Sequence, residues 1–202
     1  MRGKRNIENN SSQAIHSAYT EKKAVQAAYH VCRFAGGTID FQRLLKILYL
    51  ADRISLEQRG RPITFDLLCN MDQGPLPSTI YDRFKPLIHR NSSIPQHPEW
   101  SRAFSKQGVF NLRACEDPGV DCLSRNNLRI LEEAYLFAQQ YRIKDDLEKY
   151  LHSLPEYVDP TGSSLPISYR TILENFGYSK DEIDNRLSEL AFDAQLQKLS
   201  LV

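Results

Sequence analysis

The chain has 202 residues, of which 41% are hydrophobic and 25% are charged, as is usual for a globular domain. Twenty-six basic residues against twenty-five acidic ones leave a net charge of +1, which argues against nucleic acid held by bulk electrostatics. No apolar run approaches the roughly 18 residues of a membrane helix, and the basic start lacks the apolar stretch of a secretory signal. These features predict a cytoplasmic protein without a membrane partner.

Signatures of metal and cofactor enzymes are not found. The sequence has no phosphate-binding loop, no dinucleotide-binding glycine pattern, no zinc-protease helix and no nucleophile elbow. None of the four cysteines has a zinc-ligand spacing, so they are predicted to be reduced thiols in or near the core. They are Cys32, Cys69, Cys115 and Cys122. We therefore expect no cofactor, no metal and no enzymatic activity.

The N-terminal third is predicted to contain a tail and two helices. Residues 1–19 are rich in Asn and Ser and lack apolar periodicity, which predicts a flexible tail. Thr20 is predicted to cap a helix that ends at Gly36. A central helix follows at about 41–58, with Leu44, Leu45 and Leu48 among apolar positions on most of its sides. A helix of this kind is expected to be buried.

The middle of the chain predicts short strands among turns. Gly60 ends the central helix and Pro62 prevents its return. Residues 63–71 alternate apolar and polar side chains, which predicts a half-buried strand. The run "GPLPST" then bends the chain into a short helix. Residues 89–120 are predicted to form loops with a short hairpin, in which "GVFNL" is the best strand candidate.

The C-terminal part is predicted to be helical. Ser124 caps a helix at about 125–141, a second helix covers about 144–152, and a proline-containing linker leads to a helix pair. Ser179 and Glu182 form a capping-box pattern in that pair. The sequence as a whole predicts an α+β fold, a mainly helical single domain with a small central β-sheet or hairpin and a C-terminal helical hairpin.

The C-terminal pair has an alternative interpretation as a helix-turn-helix that binds DNA. Its second helix carries two basic and four acidic residues between Lys180 and Leu190, and this charge of −2 disfavours contact with phosphates. Nucleic acid is therefore not the expected partner.

Three polar residues have both a structural and a functional interpretation. His152 ends a helix, where the helix dipole favours its charged form, and it is either a structural residue or a contact for a partner. Asp52 and Arg53 follow an apolar run in the central helix and either mark where the helix reaches water or contact a partner.

Four segments of the chain resemble a known family. "LLKILYLADRISLEQRGRPIT" (44–64) and "GPLPSTIYDRF" (74–84), followed by "LSRNNLRILEEAY" and "DLEKYLHSLPEY", resemble the Panacea domain, also called the SocA-like antitoxin domain. The similarity covers about residues 22–157. We assign 1–19 to a flexible tail, 20–157 to this domain and 158–202 to a C-terminal helical extension packed on it. Gln73 stands where the family often has an aromatic residue or histidine.

The resemblance implies an antitoxin that neutralises a cognate protein toxin, expected to be encoded by an adjacent gene, through direct contact. An alternative is an adaptor that delivers the toxin to a cytosolic protease, and self-association is left open. The motif residues expected to build the scaffold are Leu44, Leu45, Leu48, Gly60, Pro62, Thr64, Gly74, Pro75 and Pro77. The polar and aromatic residues expected to contact the partner are Tyr49, Asp52, Arg53, Gln73, Tyr81 and His152.

Overall fold

The computed structural model of the chain describes residues 14–89 and 92–199. Its helices are α1 (Glu21–Phe34), α2 (Phe41–Arg59), α3 (Ser78–Ile88), α4 (Pro98–Ala103), α5 (Arg125–Gln139), α6 (Lys144–His152), α7 (Tyr169–Asn175) and α8 (Lys180–Leu199). Its strands are β1 (Thr38–Asp40), β2 (Leu68–Asn70), β3 (Leu76–Pro77), β4 (Phe104–Gln107), β5 (Asn111–Ala114) and β6 (Leu165–Ile167). The strands form two antiparallel sheets, ordered β1-β5-β4 and β3-β2-β6. The predicted mainly helical α+β fold is confirmed.

Helix α2 occupies the centre of the core, as its apolar pattern predicts. Seven of the eight consecutive residues from Leu44 to Ala51 are apolar or aromatic, and all eight are buried. Asp40 begins the helix by accepting a hydrogen bond from the backbone N–H of Arg43 at 2.9 Å. Gly60 ends it in the left-handed conformation, with φ of 68°. The helix packs against α1, α5 and α7.

The start of the described chain differs from the predicted flexible tail. Residues 14–16 form a helical turn, and Ile15 is only 2% exposed. The Nδ1 atom of His16 lies 3.2 Å from the backbone oxygen of Phe65, so this turn is tied to the loop after α2. Residues 1–13, the remainder of the predicted tail, lie outside the described residues. Thr20 caps α1 as expected, accepting from the N–H of Lys23.

The predicted alternation over residues 63–71 is wrong. Only Leu68–Asn70 is a strand, and Thr64, Asp66 and Asn70, predicted to face solvent, are buried. Each of these polar side chains has a hydrogen-bond partner elsewhere in the chain, which offsets much of the penalty for burying it, although the Oδ1 atom of Asn70 has no partner among the described residues. Leu67, predicted for the buried face, is 51% exposed. Hydrogen bonding, not polarity, decides which side of this segment is buried.

A hairpin does form in the long middle segment. Strands β4 and β5 pair from Phe104 opposite Ala114 to Gln107 opposite Asn111. The predicted strand "GVFNL" instead spans the turn at 108–110 and the start of β5. The backbone N–H of Phe41 donates to the oxygen of Phe110 at 2.9 Å, so the tip of the hairpin is fixed to the start of α2.

The residues after 158 complete the second sheet. Strand β6 pairs with β2, from Leu68 opposite Ile167 to Asn70 opposite Leu165. Helices α7 and α8 form the C-terminal hairpin, joined by an ion pair of 2.5 Å between Arg170 and Asp184. The capping box at Ser179 and Glu182 is present, with the N–H of Ser179 donating to Glu182 at 2.8 Å.

Candidate partner-binding surface

A buried carboxylate organises the polar part of the core. Glu156, which follows α6 and is 3% exposed, accepts hydrogen bonds on Oε1 from the hydroxyl of Tyr49 at 2.8 Å and from Nε of Arg53 at 2.6 Å. Asn175 donates to Oε2 at 3.2 Å, and Asn70 donates to the backbone oxygen of Glu156 at 3.1 Å. We call these five residues the Glu156 network. It joins α2, β2 and α7 through one side chain and its peptide group.

Burial and pairing act in opposite directions on this carboxyl group. Burial alone raises the pKa of Glu156, but the hydrogen bond and charge of Arg53 outweigh it, and the pKa lies below its usual value. The Arg53 guanidinium also lies over the ring of Phe176, 4.7 Å from its centroid. Both charges are therefore paired within the fold.

Asp52 fixes the loop that follows α2. Its Oδ1 accepts from the N–H groups of Ile63 at 2.7 Å and Thr64 at 2.9 Å, and its Oδ2 accepts from the Thr64 hydroxyl. Burial raises the pKa of Asp52 in spite of these bonds. Asp52 and Thr64, the Asp and the Thr of the "LADR…PIT" motif, are thus hydrogen-bonded to each other. These bonds fix the turn that contains Gly60.

A second buried aspartate begins the next helix. Asp66 accepts from the N–H groups of Thr79 and Ile80, both at 2.8 Å, at the first turn of α3. Burial raises the pKa of Asp66 to about 6 although these bonds favour the charged form. Tyr169 of α7 donates to the backbone oxygen of Asp66 at 2.7 Å. The motif therefore positions α3 as well as α2.

The loop before Gly-Pro is anchored on α2. Gly74 has φ of 98° and forms a tight turn in which its N–H donates to the oxygen of Met71 at 2.8 Å. Lys46 donates to the backbone oxygen of Gln73, and the side chain of Gln42, one helical turn earlier, donates to the Gln73 side chain at 2.5 Å. Two α2 side chains on one face thus fix the exposed Gln73.

An open cleft lies between this loop and the start of α2. Its volume is about 250 Å³. The lining is mostly apolar with polar groups at its edges, and consists of Phe41, Gln42, Leu45, Lys46, Met71, Asp72, Gln73, Leu76 and Tyr81. The Nζ atom of Lys85 lies 4.4 Å from the centroid of the Tyr81 ring. Such a cleft suits an apolar side chain with polar groups beside it.

His152 lies behind the same loop. It ends α6, and its ring stacks on Tyr157 with centroids 4.2 Å apart. A Cβ atom on Gly74 would come within 3.5 Å of the His152 ring, so the ring packs against the Gly-Pro turn. Its Nε2 atom is buried without a hydrogen-bond partner among the described residues. The ring supports the loop and does not line the cleft.

The six residues predicted to contact a partner fall into separate places. Gln73 and Tyr81 meet at the cleft. Tyr49 and Asp52 are fully buried, and their side-chain oxygen atoms bond within the chain. The prediction that these two side chains contact a partner is therefore corrected. Arg53 is mostly buried against Glu156. Among the scaffold residues, the three leucines of α2, Thr64, Pro62, Pro75 and Pro77 are buried.

Sequence reasoning missed Glu156, Asp66 and Lys46. A signal existed for Glu156, since an arginine in the middle of a buried helix needs an acidic partner, and Glu156 stands in the quoted "SLPEY". No such signal marks Asp66, because its donors on α3 lie 13 and 14 residues along the chain, whereas a capping aspartate ordinarily stands directly before its helix. No local pattern marks Lys46, whose acceptor lies 27 residues away.

The C-terminal pair uses its arginines within the fold. Arg170 pairs with Asp184, and the guanidinium of Arg186 lies 4.5 Å from the centroid of the Tyr178 ring and next to Gly60. Arg61 forms an ion pair of 3.6 Å with Asp193 of α8. These contacts attach the pair to the end of α2.

The sequence profile of the family described as "Antitoxin SocA-like, Panacea domain" matches residues 44–156. This match covers more than half of the chain, from the first turn of α2 to the carboxylate of the Glu156 network. The chain belongs to the SocA-like Panacea family. No curated protein and no solved structure matches it. Within residues 14–89 and 92–199, no helix is long and apolar enough to cross a membrane.

The family match gives the site its context. The Panacea segment contains both buried aspartates, the whole loop from Met71 to Pro75 and the cleft residues from Leu45 to Tyr81. It also contains the β4–β5 hairpin. All the cleft residues except Phe41 and Gln42 therefore belong to the segment that matches an antitoxin family.

Proposed function

We propose that this protein is an antitoxin that binds a cognate protein toxin directly in the cytoplasm and neutralises it without catalysis. The observation that carries the proposal is the match of residues 44–156 to the SocA-like Panacea family. A toxin–antitoxin role in general follows from that membership. Direct binding as the mechanism of neutralisation is the part that we propose.

The geometry supports a binding role. The acidic groups of the motif, Asp52, Asp66 and Glu156, accept hydrogen bonds from within the chain and hold α2, α3 and α7 together. The same frame presents an open, mostly apolar cleft edged by Gln73 and Tyr81. A rigid frame beneath an accessible apolar surface lowers the entropy lost on binding a protein.

A stable complex would need more than the cleft. Specific interfaces bury about 1,200–2,000 Å² in total, and a few aromatic or arginine side chains carry most of the affinity. Tyr81 at the cleft is a residue of this kind. The cleft is accordingly proposed as the centre of a wider contact.

The test is co-expression with the product of the adjacent gene. We expect the neighbour alone to arrest growth, and the full-length protein to restore growth and to co-purify with the neighbour as one complex. Growth restored while the neighbour is degraded, with a shortened half-life in a pulse-chase, would replace direct neutralisation by the adaptor mechanism. A harmless neighbour that does not co-purify would contradict the proposal for this gene pair.

A further inference from the structure

The tip of the β4–β5 hairpin presents apolar side chains to solvent. Val109 is 66% exposed and Phe110 is 54% exposed. The hairpin is also basic, since residues 104–115 contain Lys106 and Arg113 and no acidic residue. An apolar tip on a basic strand pair contrasts with a chain whose net charge is only +1.

Phe41 connects this tip to the cleft. It lines the cleft, and its ring centroid lies 6.5 Å from that of Phe110 and 6.5 Å from that of His89. Because the N–H of Phe41 also bonds to the oxygen of Phe110, the tip is held beside the cleft mouth. We name the combined area the cleft–hairpin surface, defined by Met71, Gln73, Leu76, Tyr81, Val109 and Phe110.

The hairpin side of this surface carries an excess of positive charge. Lys106 and Arg113 lie on the hairpin, and Asp40, opposite Asn111 on the paired strand β1, is the acidic residue beside them and caps the N-terminus of α2.

Lys106 donates from Nζ to the backbone oxygen of Ile88, the last residue of α3, at 2.7 Å. A helix C-terminus carries about half a negative charge, so it offsets only part of the lysine charge. His89 follows directly. The nearby Lys85 forms a 2.6 Å pair with Asp82, which leaves that pair neutral.

The other end of the cleft has charges of both signs. Asp72 lines it and accepts from the N–H of Gly162 at 3.0 Å, and Lys46 lines it from α2. These two charges balance formally. The excess positive charge of the cleft–hairpin surface therefore lies beside the exposed Phe110, where an acidic group on a partner would be attracted.

We propose that the cleft–hairpin surface docks a segment of the toxin that carries a large apolar side chain next to an acidic one. The apolar side chain enters the cleft against Leu76 and Tyr81 and contacts Phe110, while the acidic side chain faces Lys106. This inference rests on the proposed function and specifies its interface. Aromatic anchors surrounded by polar groups are the usual centre of such contacts.

The experiment compares two exposed phenylalanines. Phe110→Asp introduces an acid on the proposed surface, and Phe192→Asp makes the same change on α8, where the phenylalanine is 60% exposed and does not line the cleft. Each full-length variant is tested for growth rescue against the adjacent gene's product and for its Kd by titration. We expect Phe110→Asp to weaken binding at least about tenfold and abolish rescue, and Phe192→Asp to leave both unchanged.

A charge reversal tests the chemistry of the partner. Lys106→Glu is expected to slow association several-fold and reduce its dependence on salt, because a rim charge acts mainly on the association rate. Lys180→Glu, on α8, is the control. Faster association of Lys106→Glu would show that the partner segment is not acidic and would overturn that part of the inference.

The outcomes separate the two proposals. If the wild-type chain neither rescues growth nor retains the neighbour, the proposed function fails and this interface fails with it. If the wild type binds and Phe110→Asp binds equally well, only the interface is overturned. If the free wild-type protein is a dimer that Phe110→Asp dissociates while toxin binding persists, the surface joins two copies of this chain. Thermal unfolding of each variant confirms that it is folded.

Discussion

The Glu156 network and the cleft–hairpin surface both depend on α2, and they use its polar side chains differently. Tyr49 and Arg53 point to a carboxylate that is 3% exposed, and their bonds close within the chain. Gln42 and Lys46, about two turns and one turn before Tyr49 in the helix, hold Gln73 at the edge of an open cleft. One motif thus supplies an internal frame at one end of the helix and a surface at the other.

The comparison shows that the polarity of a side chain does not tell whether it is buried in the core or exposed at the proposed binding surface. Asp52 and Tyr49 are polar and buried, whereas Val109 and Phe110 are apolar and exposed. Changes to the network are expected to alter stability first, and changes to the surface are expected to alter toxin binding first. Four predictions test that division, in addition to the interface experiment.

The largest effect is expected from Glu156→Ala. Loss of this carboxylate leaves Arg53 mostly buried without its partner, which typically costs about 3–5 kcal/mol in the free energy of unfolding. Urea unfolding followed by circular dichroism measures it. Glu133→Ala is the control, since Glu133 pairs with Arg129 at an exposed site and should cost at most about 1 kcal/mol. Equal losses of unfolding free energy in the two variants would show that the buried carboxylate stabilises the fold no more than an exposed one.

Asp66 predicts a pH dependence of stability. Its pKa is raised to about 6 in the fold, so the folded state binds the proton more tightly than the unfolded state. Its contribution to the free energy of unfolding is complete below the usual aspartate pKa of about 4. This contribution is lost as the pH rises through the folded-state pKa of about 6. Compared with Asp66→Asn, which does not titrate, the wild type should lose on the order of 2–3 kcal/mol between pH 4 and pH 7.

The measurement is urea unfolding of both proteins at intervals of pH across that range. The difference between wild type and Asp66→Asn removes the contributions of other titrating groups. A difference that stays constant with pH, or that grows in favour of the wild type as the pH rises, would contradict the raised pKa.

The end of α2 gives a smaller effect. Gly60→Ala places a Cβ in a left-handed conformation, which costs about 1–2 kcal/mol, and that Cβ would collide with the Arg186 guanidinium. Gly177→Ala is the matched control, because Gly177 also has positive φ but has open space around it. Thermal unfolding should show a larger loss for Gly60→Ala. Equal losses would indicate that Arg186 moves away freely.

The smallest effect on stability is expected from Gln73→Ala. Gln73 is exposed and its backbone oxygen still accepts from Lys46, so the free energy of unfolding should change by at most about 0.5 kcal/mol. Toxin affinity should nevertheless fall, because the side chain lies at the cleft edge. Gln58→Ala, at an exposed hydrogen bond to Glu133, is the control for both measurements. Unchanged affinity would remove Gln73 from the surface.

Local patterns in the sequence predicted the helices well except for α4, which lies in the 89–120 segment that was expected to form loops and a short hairpin. Thr20, Ser124 and Ser179 all lie at the helix starts that they were expected to cap. Gly60 ends α2 as expected. These predictions succeed because a cap bonds to N–H groups two or three residues away, and a helix presents its faces with a fixed period. Both kinds of information lie within a few residues of chain.

The strand prediction failed for the opposite reason. Thr64, Asp66 and Asn70 look like a solvent-facing row until their partners at Asp52, at the start of α3 and at Glu156 are known. Phe65, between the first two, has φ of 59°, which ends any regular strand there. The partners lie between 12 and 86 residues away, beyond the reach of an alternation pattern.

The sequence by itself therefore determined the helices other than α4, three of their caps, the mainly helical α+β class and the resemblance to an antitoxin family. The tertiary structure decided which polar residues are buried, that Gln73 and Tyr81 share a cleft, and that Phe110 lies beside it. The physical reason is that burying a polar group costs stability unless another group satisfies it. For Tyr49 that group is Glu156, 107 residues along the chain, and only folding brings the two together.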